Sequence, residues 1–388
     1  MDLIYLDNAA TSFPRPDCVA DAVSDWVRNG SAAGRGTHAG ASAANELLRS
    51  CRNEIAALVG ADSAAHVVLT SGCTESLNIV IQGLLQPGDH VIASRLDHNS
   101  VLRPLQHLLH TRNITFELLD FSPVNGLLDI RQLQQLLERT PTRLVVLNHG
   151  SNVLGTVQPI AEMARLAQQA GALTLVDAAQ TAGHEDLSFA AAEFDFMALA
   201  GHKGIPGPLG TGALCIRPDR EQLLQPLILG GTGTESESLH QPRQSPAKFE
   251  SGNRNIPGIA GLLAAAAWVR EQTPAVLRKR LQQHSAELYR GLRAISAVRL
   301  LTPDTPENFC GAVSFQLEGL DCHDAAIILE QEFQIQCRAG LHCAPLLHPA
   351  AGLLQQSGSL RFSPGPLTTS AEIRRAVSAV SELSENFT

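Results

Sequence analysis

Between residues 66 and 177, short apolar runs alternate with stretches of helical spacing. That alternation restricts the fold more than any other feature of the chain. Runs at 66–70, 90–94, 114–119, 143–148 and 173–177 read as buried strands. The segments between them, at 74–85, 99–110, 130–138 and 160–169, read as helices. A helix that returns the chain to the same edge after each strand builds a mainly parallel sheet covered on both faces. Its strands are therefore apolar throughout rather than at every second residue. Two further runs, 194–199 and 213–216, bring the expected sheet to seven strands. Before the first strand, helices at 17–27 and 41–58 flank a glycine-rich loop at 29–40. Beyond Asn255-Ile-Pro-Gly258 the texture changes. Long helices at 258–270 and 275–295 precede shorter strands such as 311–316. The expectation is an α/β chain with a large domain over 15–255. Residues 1–14 and 256–388 form a smaller α+β domain. A length of 388 residues agrees, being too long for one small core.

Composition excludes several classes of function. With 44% hydrophobic and 17% charged residues, the chain is globular and core-forming. A net charge of −9 and the absence of any Lys/Arg block weigh against a nucleic-acid partner. Residues 1–8 lack a basic region followed by a long apolar core, so they do not read as a signal peptide. No apolar run is long enough to span a bilayer. A cytoplasmic location and no membrane association are expected. Eight cysteines are scattered without a Cys-x-x-Cys pair or a zinc-ligand spacing, so no metal site is expected and most thiols read as buried and reduced.

Ligands of an open parallel sheet bind beyond the carboxyl ends of its strands, so the residues following each strand carry the functional information. After 66–70 comes Ser71-Gly-Cys-Thr-Glu75, opening a helix. Its free N–H groups suit a phosphate, and it is equally an ordinary helix cap. After 90–94 comes Asp97-His98-Asn99, where His98 either stacks on a planar ligand or caps the next helix. After 143–147 comes a polar loop, Asn148-His-Gly-Ser-Asn152. After 173–176 come Asp177 and Gln180. A carboxylate ending a buried run needs a cation, either an arginine or a protonated pyridine nitrogen. After 194–199 comes Gly201-His202-Lys203, and Lys203 is one of three lysines, with Lys248 and Lys279. Elsewhere the chain uses arginine for its cations. A lysine at the mouth of a buried strand therefore suggests the role arginine cannot fill, a deprotonable amine that forms a Schiff base. No Walker sequence and no Gly-x-Gly-x-x-Gly follows a strand, which argues against nucleotides. A phosphate cradle, a flat ring, a buried acid and a lysine together suit pyridoxal 5'-phosphate.

A second chemical group lies in Arg338-Ala-Gly-Leu-His-Cys-Ala-Pro345. Gly340 and Pro345 make this a flexible loop on the smaller domain, with His342 beside the Cys343 thiol and Arg338 nearby. Cations at that distance favour a nucleophilic thiolate. Cys343 would have to reach across a cleft to meet Lys203.

These segments join Tyr5-Leu-Asp-Asn-Ala-Ala-Thr11, Thr70-Ser-Gly-Cys-Thr-Glu-Ser-Leu-Asn78, His98-Asn-Ser-Val101, Ser151-Asn-Val-Leu-Gly155, Asp177-Ala-Ala-Gln-Thr181, Phe249-Glu-Ser-Gly252 and Arg361-Phe-Ser-Pro364. Along almost its whole length the chain resembles the class V aminotransferase group of fold-type-I pyridoxal-phosphate enzymes. Within that group it is similar to the cysteine desulfurase and selenocysteine lyase family of the Arg-x-Gly-x-His-Cys type. The resemblance implies that Lys203 holds the cofactor and that His98 stacks on its ring. It places Asp177 at the ring nitrogen, Gln180 at the ring oxygen, and Gly72, Cys73, Thr74 and His202 around the phosphate. It assigns the substrate carboxylate to Arg361 and Asn152, and the nucleophile to Cys343. The implied reaction converts L-cysteine to L-alanine and leaves a persulfide on Cys343 for a sulfur-acceptor protein, in a homodimer. Action on L-selenocysteine or another small amino acid, or a sulfur-trafficking binding role without turnover, are the alternatives. The chain departs from the family at Ala200, where a serine is usual. It departs again at Asn253-Arg254, where Gly252 is usually followed by threonine, and at Cys73.

Overall fold

A computed structural model describes residues 3–31, 36–235, 237–305, 308–352 and 358–387. Part of the expected 29–40 loop, 32–35, lies outside them. Elements run in the order β1 (Ile4–Tyr5), α1 (Asp17–Asn29), α2 (Ala39–Val59), β2 (Val67–Thr70), α3 (Cys73–Leu84), β3 (His90–Ser94), α4 (Asn99–Thr111) and β4 (Thr115–Leu119). They continue with α5 (Ile130–Arg139), β5 (Leu144–Asn148), α6 (Ile160–Gln169), β6 (Leu173–Asp177), β7 (Phe196–Ala200), β8 (Gly212–Ile216), α7 (Ile256–Gln272) and α8 (Pro274–Arg293). The chain ends with β9 (Val298–Leu300), β10 (Val313–Leu317), α9 (Cys322–Phe333), β11 (Ile335–Gln336), β12 (Arg338–Gly340), α10 (Leu347–Ala350), β13 (Ser359–Phe362) and α11 (Ser370–Phe387).

The large sheet has seven strands in the order β2-β8-β7-β6-β5-β3-β4. All pairs are parallel except those of β8, which runs against both β2 and β7. Because β2 and β7 each oppose β8, they share a direction. The carboxyl ends of β2, β3, β5, β6 and β7 therefore meet at one edge, where the candidate residues lie. Successive side chains of each strand enter opposite cores, as the strand period demands. In β5, Val145 and Leu147 join one core, and Leu144 and Val146 join the other. Both faces are covered, which is why these strands read as unbroken apolar runs.

The second unit carries an antiparallel sheet, β12-β13-β10-β9, packed against α8, α9 and α11. Its register sets Arg338 opposite Arg361. The chain's start belongs with it, since β1 pairs in parallel with β11. One boundary expectation needs correction. The smaller domain was expected to begin at 256, yet α7 packs on α1 and α2. Its residues Ile256, Ile259, Leu262, Ala265 and Ala266 join the core of the large sheet. Gly261 makes that closeness possible, since a Cβ there would stand 2.7 Å from Val23 and 2.6 Å from Pro208. Packing places the change of unit between α7 and α8.

The two units are stitched together after β5. Cys310 donates to the Gly155 carbonyl at 2.7 Å, Val157 to Asn308 at 2.8 Å, and the Ser314 hydroxyl to Val153 at 2.6 Å. Gly155, at φ 71°, is required here, because a Cβ would fall 1.9 Å from the Ala312 carbonyl oxygen. Among the described residues no helix is long and apolar enough to cross a membrane.

Candidate active site

A cavity of about 200 Å³ opens at the carboxyl edge of the large sheet, lined by Gly72, Cys73, Thr74, His98, Asn152, Asp177, Gln180, Ala200, His202 and Lys203 among others. They arrive from the ends of five strands, β2, β3, β5, β6 and β7. The α3 N-terminus faces this space, and its N-cap, Gly72, supplies no side-chain hydrogen bond. The Glu75 carboxylate, also on the cavity wall, accepts from the Ser71 N–H at 2.6 Å. The first N–H groups of the helix are thus left for an anion, with the helix dipole favouring one.

His98 is the N-cap of α4. Its Nδ1 accepts from the Ser100 N–H at 3.0 Å and lies 2.8 Å from the Ser100 hydroxyl. That hydroxyl is 2.7 Å from Thr74 Oγ1. The chain Thr74–Ser100–His98 therefore ties the start of α3 to the start of α4 along the cavity wall. Of the two readings of His98 in the sequence, the structure shows the helix cap. Burial, then the Lys203 charge, lowers the pKa of His98, so it is a neutral ring.

Asp177 ends β6 with Oδ1 accepting from the Ala179 N–H at 3.0 Å and from the Cys73 thiol at 3.4 Å. Among the described residues no arginine, lysine or histidine forms an ion pair with it. The alternative of an arginine partner is thereby set aside. A carboxylate at a cavity wall without an ion-pair partner fits a protonated ring nitrogen. Cys73 spends its thiol on Asp177, and burial pushes its pKa well up, so it remains S–H. Its side chain thus faces the carboxylate, not the uncapped helix start. Burial also lowers the pKa of the Lys203 amine, against the pull of Asp177. A lowered pKa makes the neutral, nucleophilic amine accessible. The His202 ring lies 3.2 Å from Thr11 Oγ1, and burial, then Lys203, brings its pKa to about 4. His202 therefore offers a neutral ring, not a charge. Gln180 donates to the Ala9 carbonyl at 2.9 Å, which leaves its oxygen available.

The second half of the site comes from the other unit. Cys343 lies half-buried, with its Sγ 3.8 Å from Arg338 Nη2. The expected flexible loop is instead docked. Asn99 donates to the Cys343 carbonyl at 2.8 Å, and Asn152 Nδ2 to the His342 carbonyl at 2.6 Å. Both donors belong to the large unit, so the backbone at His342 and Cys343 is held against the start of α4 and the loop after β5. His342 and Cys343 both adopt left-handed backbone, at φ 51° and 58°. Such conformations cost roughly 1–2 kcal/mol each, and these hydrogen bonds offset that. The imidazole of His342 does not serve the thiol. Its Nε2 is within 3.0 Å of the Ser359 carbonyl, and burial, then the Arg361 charge, brings its pKa to about 2. Cys337, six residues earlier, is half-buried, and desolvation pushes its pKa up to about 12.

Arg361 and Asn152 do meet, but each is engaged within the protein. Arg361 Nη1 donates to the Asn152 carbonyl at 3.1 Å and Nη2 pairs with Asp7 at 2.5 Å, with Arg361 only 1% exposed. Sequence reasoning missed Asp7 and Ser100 as members of the site. Both stood in motifs already singled out. No local signal shows that Asp7 faces an arginine 354 positions away.

Asp97, between β3 and His98, is fully buried and accepts from the Ser94 N–H at 2.6 Å. Burial first, with the nearby Asp177 charge adding, raises its pKa to about 7. An acid whose folded pKa exceeds its unfolded value stabilises below the unfolded pKa and loses that contribution as pH rises through the folded one. Asp97→Asn, which keeps the acceptor, should therefore gain on the parent protein by about 2–3 kcal/mol between pH 5 and pH 7. Thermal melts of both proteins across that range would show it, and parallel melting curves would refute it.

Residues 4–376 match a family model described as aminotransferase class V. A probable cysteine desulfurase of Methanothermobacter thermautotrophicus is 35% identical over 378 residues, covering 96% of this chain and 92% of that protein. A cysteine desulfurase of Pectobacterium carotovorum is 32% identical, covering 98% of this chain and 93% of that protein. The apo structure of a cysteine desulfurase from Thermococcus onnurineus superposes with a TM-score of 0.93 at 30% identity, over 99% of this chain and 95% of the other. A cysteine desulfurase from Escherichia coli gives 0.89 at 27% identity, over 100% of this chain and 96% of the other.

Proposed function

Because the chain belongs to the class V aminotransferase family and, within it, to the cysteine desulfurases, we propose that it converts L-cysteine to L-alanine in the cavity between Lys203 and Asp177 and takes the sulfur onto Cys343. It is a pyridoxal-phosphate-dependent enzyme, and the residues present fit that cofactor. The uncapped start of α3 suits the phosphate, the unpaired Asp177 carboxylate a ring nitrogen, His98 the ring face, and Lys203 the aldehyde. When bound, the cofactor supplies an electron sink for charge developing at the substrate's α-carbon.

The protein's own groups do the rest. Lys203, as a free amine, takes the α-proton. Asp177 would hold the cofactor at its ring nitrogen and keep that nitrogen protonated. Arg361 receives the substrate carboxylate, and Asn152 exchanges the His342 carbonyl for it. Cys343 attacks as thiolate. The new S–S bond forms at Sγ while the substrate C–S bond breaks, and the electron pair stays with the three-carbon fragment, which takes up one proton at its β-carbon and regains the α-proton from Lys203 to become alanine. Arg338 Nη2 stands 3.8 Å from Sγ, a cation beside the attacking sulfur. The observation that carries this reading is the docking of the Cys343 loop through Asn99, the residue next to His98.

A homodimer is supported by the exposed apolar side chains Leu227, Ile228, Leu229 and Leu239 on one loop region near Asn253. Leu341, exposed two residues before Cys343, suits contact with a sulfur-acceptor protein. The absence of disulfides among the described residues suits a reducing, cytoplasmic setting.

Incubating the holoenzyme with L-cysteine and mapping peptides by mass spectrometry should place a one-sulfur mass increase on Cys343. Sulfide release with the increase on another cysteine would sink the assignment. Asp177→Asn should keep the fold but lose roughly a hundredfold or more in turnover, since a neutral amide holds no ring proton. Steady-state sulfide release alongside the visible spectrum of the bound cofactor checks this, and unaltered turnover would remove Asp177 from the mechanism.

A further inference from the structure

Arg361 is a fully buried cation in a site that must also accept a negatively charged substrate group. A lone buried guanidinium is costly, and a mobile one would not define where a carboxylate binds. In this chain Asp7 answers both problems. Its Oδ1 pairs with Arg361 Nη2 at 2.5 Å, while Nη1 is held by the Asn152 carbonyl at 3.1 Å. Arg361 Nε is buried with no partner in the protein. The guanidinium is therefore anchored at two donors and keeps another unspent.

Asp7 is itself fixed by backbone. It bridges to Ser363, two residues past Arg361, and the Ala9 N–H donates to the Ser363 hydroxyl at 3.0 Å. A few residues on, the same segment grips the other half of the site. The Ser12 N–H donates to the His202 carbonyl at 2.8 Å, the Ser12 hydroxyl donates to the Lys203 carbonyl, and Ala9 accepts from Gln180. Residues 7–12 thus lace the arginine strand of one unit to the lysine turn of the other.

We propose that Asp7 is a positioning residue that sets the guanidinium of Arg361 at a fixed place relative to Lys203, and so determines selectivity for substrates bearing a free α-carboxylate. The proposal rests on the reading of Arg361 as the carboxylate-binding group. Asp7 does not touch the reacting atoms. It acts through Arg361, and its loss should be felt only by ligands that use Arg361.

The test compares sulfide release from L-cysteine with that from L-cysteine methyl ester, which lacks the charged carboxylate, using holoenzyme of the parent, Asp7→Ala, Asp7→Asn and Arg361→Ala. For Asp7→Ala, kcat/KM for L-cysteine should fall about a hundredfold, mainly through KM, while that for the ester changes by less than about threefold. Asp7→Asn, which keeps an acceptor of the same shape, should recover part of the loss. The visible cofactor spectrum should be unchanged in both, since neither variant alters the cavity around Asp177. Equal losses for acid and ester would mean a purely structural role and overturn the proposal. An unchanged preference in Asp7→Ala beside a collapsed one in Arg361→Ala would overturn Asp7's part alone. An unchanged preference in Arg361→Ala would overturn the carboxylate reading and the proposal with it. Should Asp7→Ala fail to fold, Asp7→Asn decides: a preference as strong as the parent's, despite the lost charge, overturns the proposal.

Discussion

Cys343→Ala should lose sulfide release from L-cysteine by at least about a thousandfold while keeping its cofactor spectrum and its melting temperature. The separation of these readouts follows from the architecture. Cys343 is half-buried at the tip of a loop whose tethers are backbone carbonyls and the His342 ring, so removing the thiol leaves every tether in place. The cofactor cavity is built by the large sheet and does not include the Cys343 side chain. Alanine at 343, with the same preference for negative φ as cysteine, introduces no new strain. Substrate should still bind, giving a spectral change on adding L-cysteine that does not proceed to sulfide. Full desulfurase activity in this variant would show that Cys343 is incidental and that the reaction belongs to another class.

Lys203→Ala should be more severe, abolishing turnover to the limit of detection. It removes both the covalent hold on the cofactor and the base for the α-proton, each a term of several orders of magnitude. Lys203→Arg should not rescue it. The structure lowers the lysine pKa by burial, whereas a guanidinium stays protonated in the same place. Borohydride treatment of the parent should fix the cofactor at Lys203, found by peptide mapping, and leave the alanine variant unlabelled. Label on Lys248 or Lys279 instead would displace Lys203 from the centre of the site.

Lys203 and Asp177 show what could be read along the chain. Lys203 was visible because lysine is scarce here and because the run before it could only be a buried strand. Asp177 was visible because a carboxylate cannot end such a run without a cation. The strand alternation carried the sheet with it, and element limits shifted by only a few residues. β8 was different. A strand of the same apolar texture runs against its neighbours, because direction depends on the connection and not on composition. Helix α7 was placed with the wrong unit for a similar reason. Its alanine-rich surface suits either core, and only the close approach at Gly261 decides between them.

The loop at Cys343 marks the limit more sharply. Gly340 and Pro345 suggested flexibility, and the neighbouring His342 a cation beside the thiol. The fold spends the carbonyls of His342 and Cys343 on Asn152 and Asn99, and buries the His342 ring against Ser359. Gly340 is at φ 106°, a turn requirement rather than a hinge signal.

The sequence by itself determined the α/β class and the set of groups at the strand ends, while the thiol that names the reaction stood out through the resemblance of its loop to the Arg-x-Gly-x-His-Cys type. The first two follow from local chemistry: what a buried run can tolerate at its end, and what a scarce lysine can do. Only the tertiary structure decided which groups touch. Hydrogen bonds such as Arg361–Asp7 and Asn99–Cys343 join residues hundreds of positions apart, and their partners are chosen by sheet register and unit packing. Nothing in the local sequence of either partner encodes that choice.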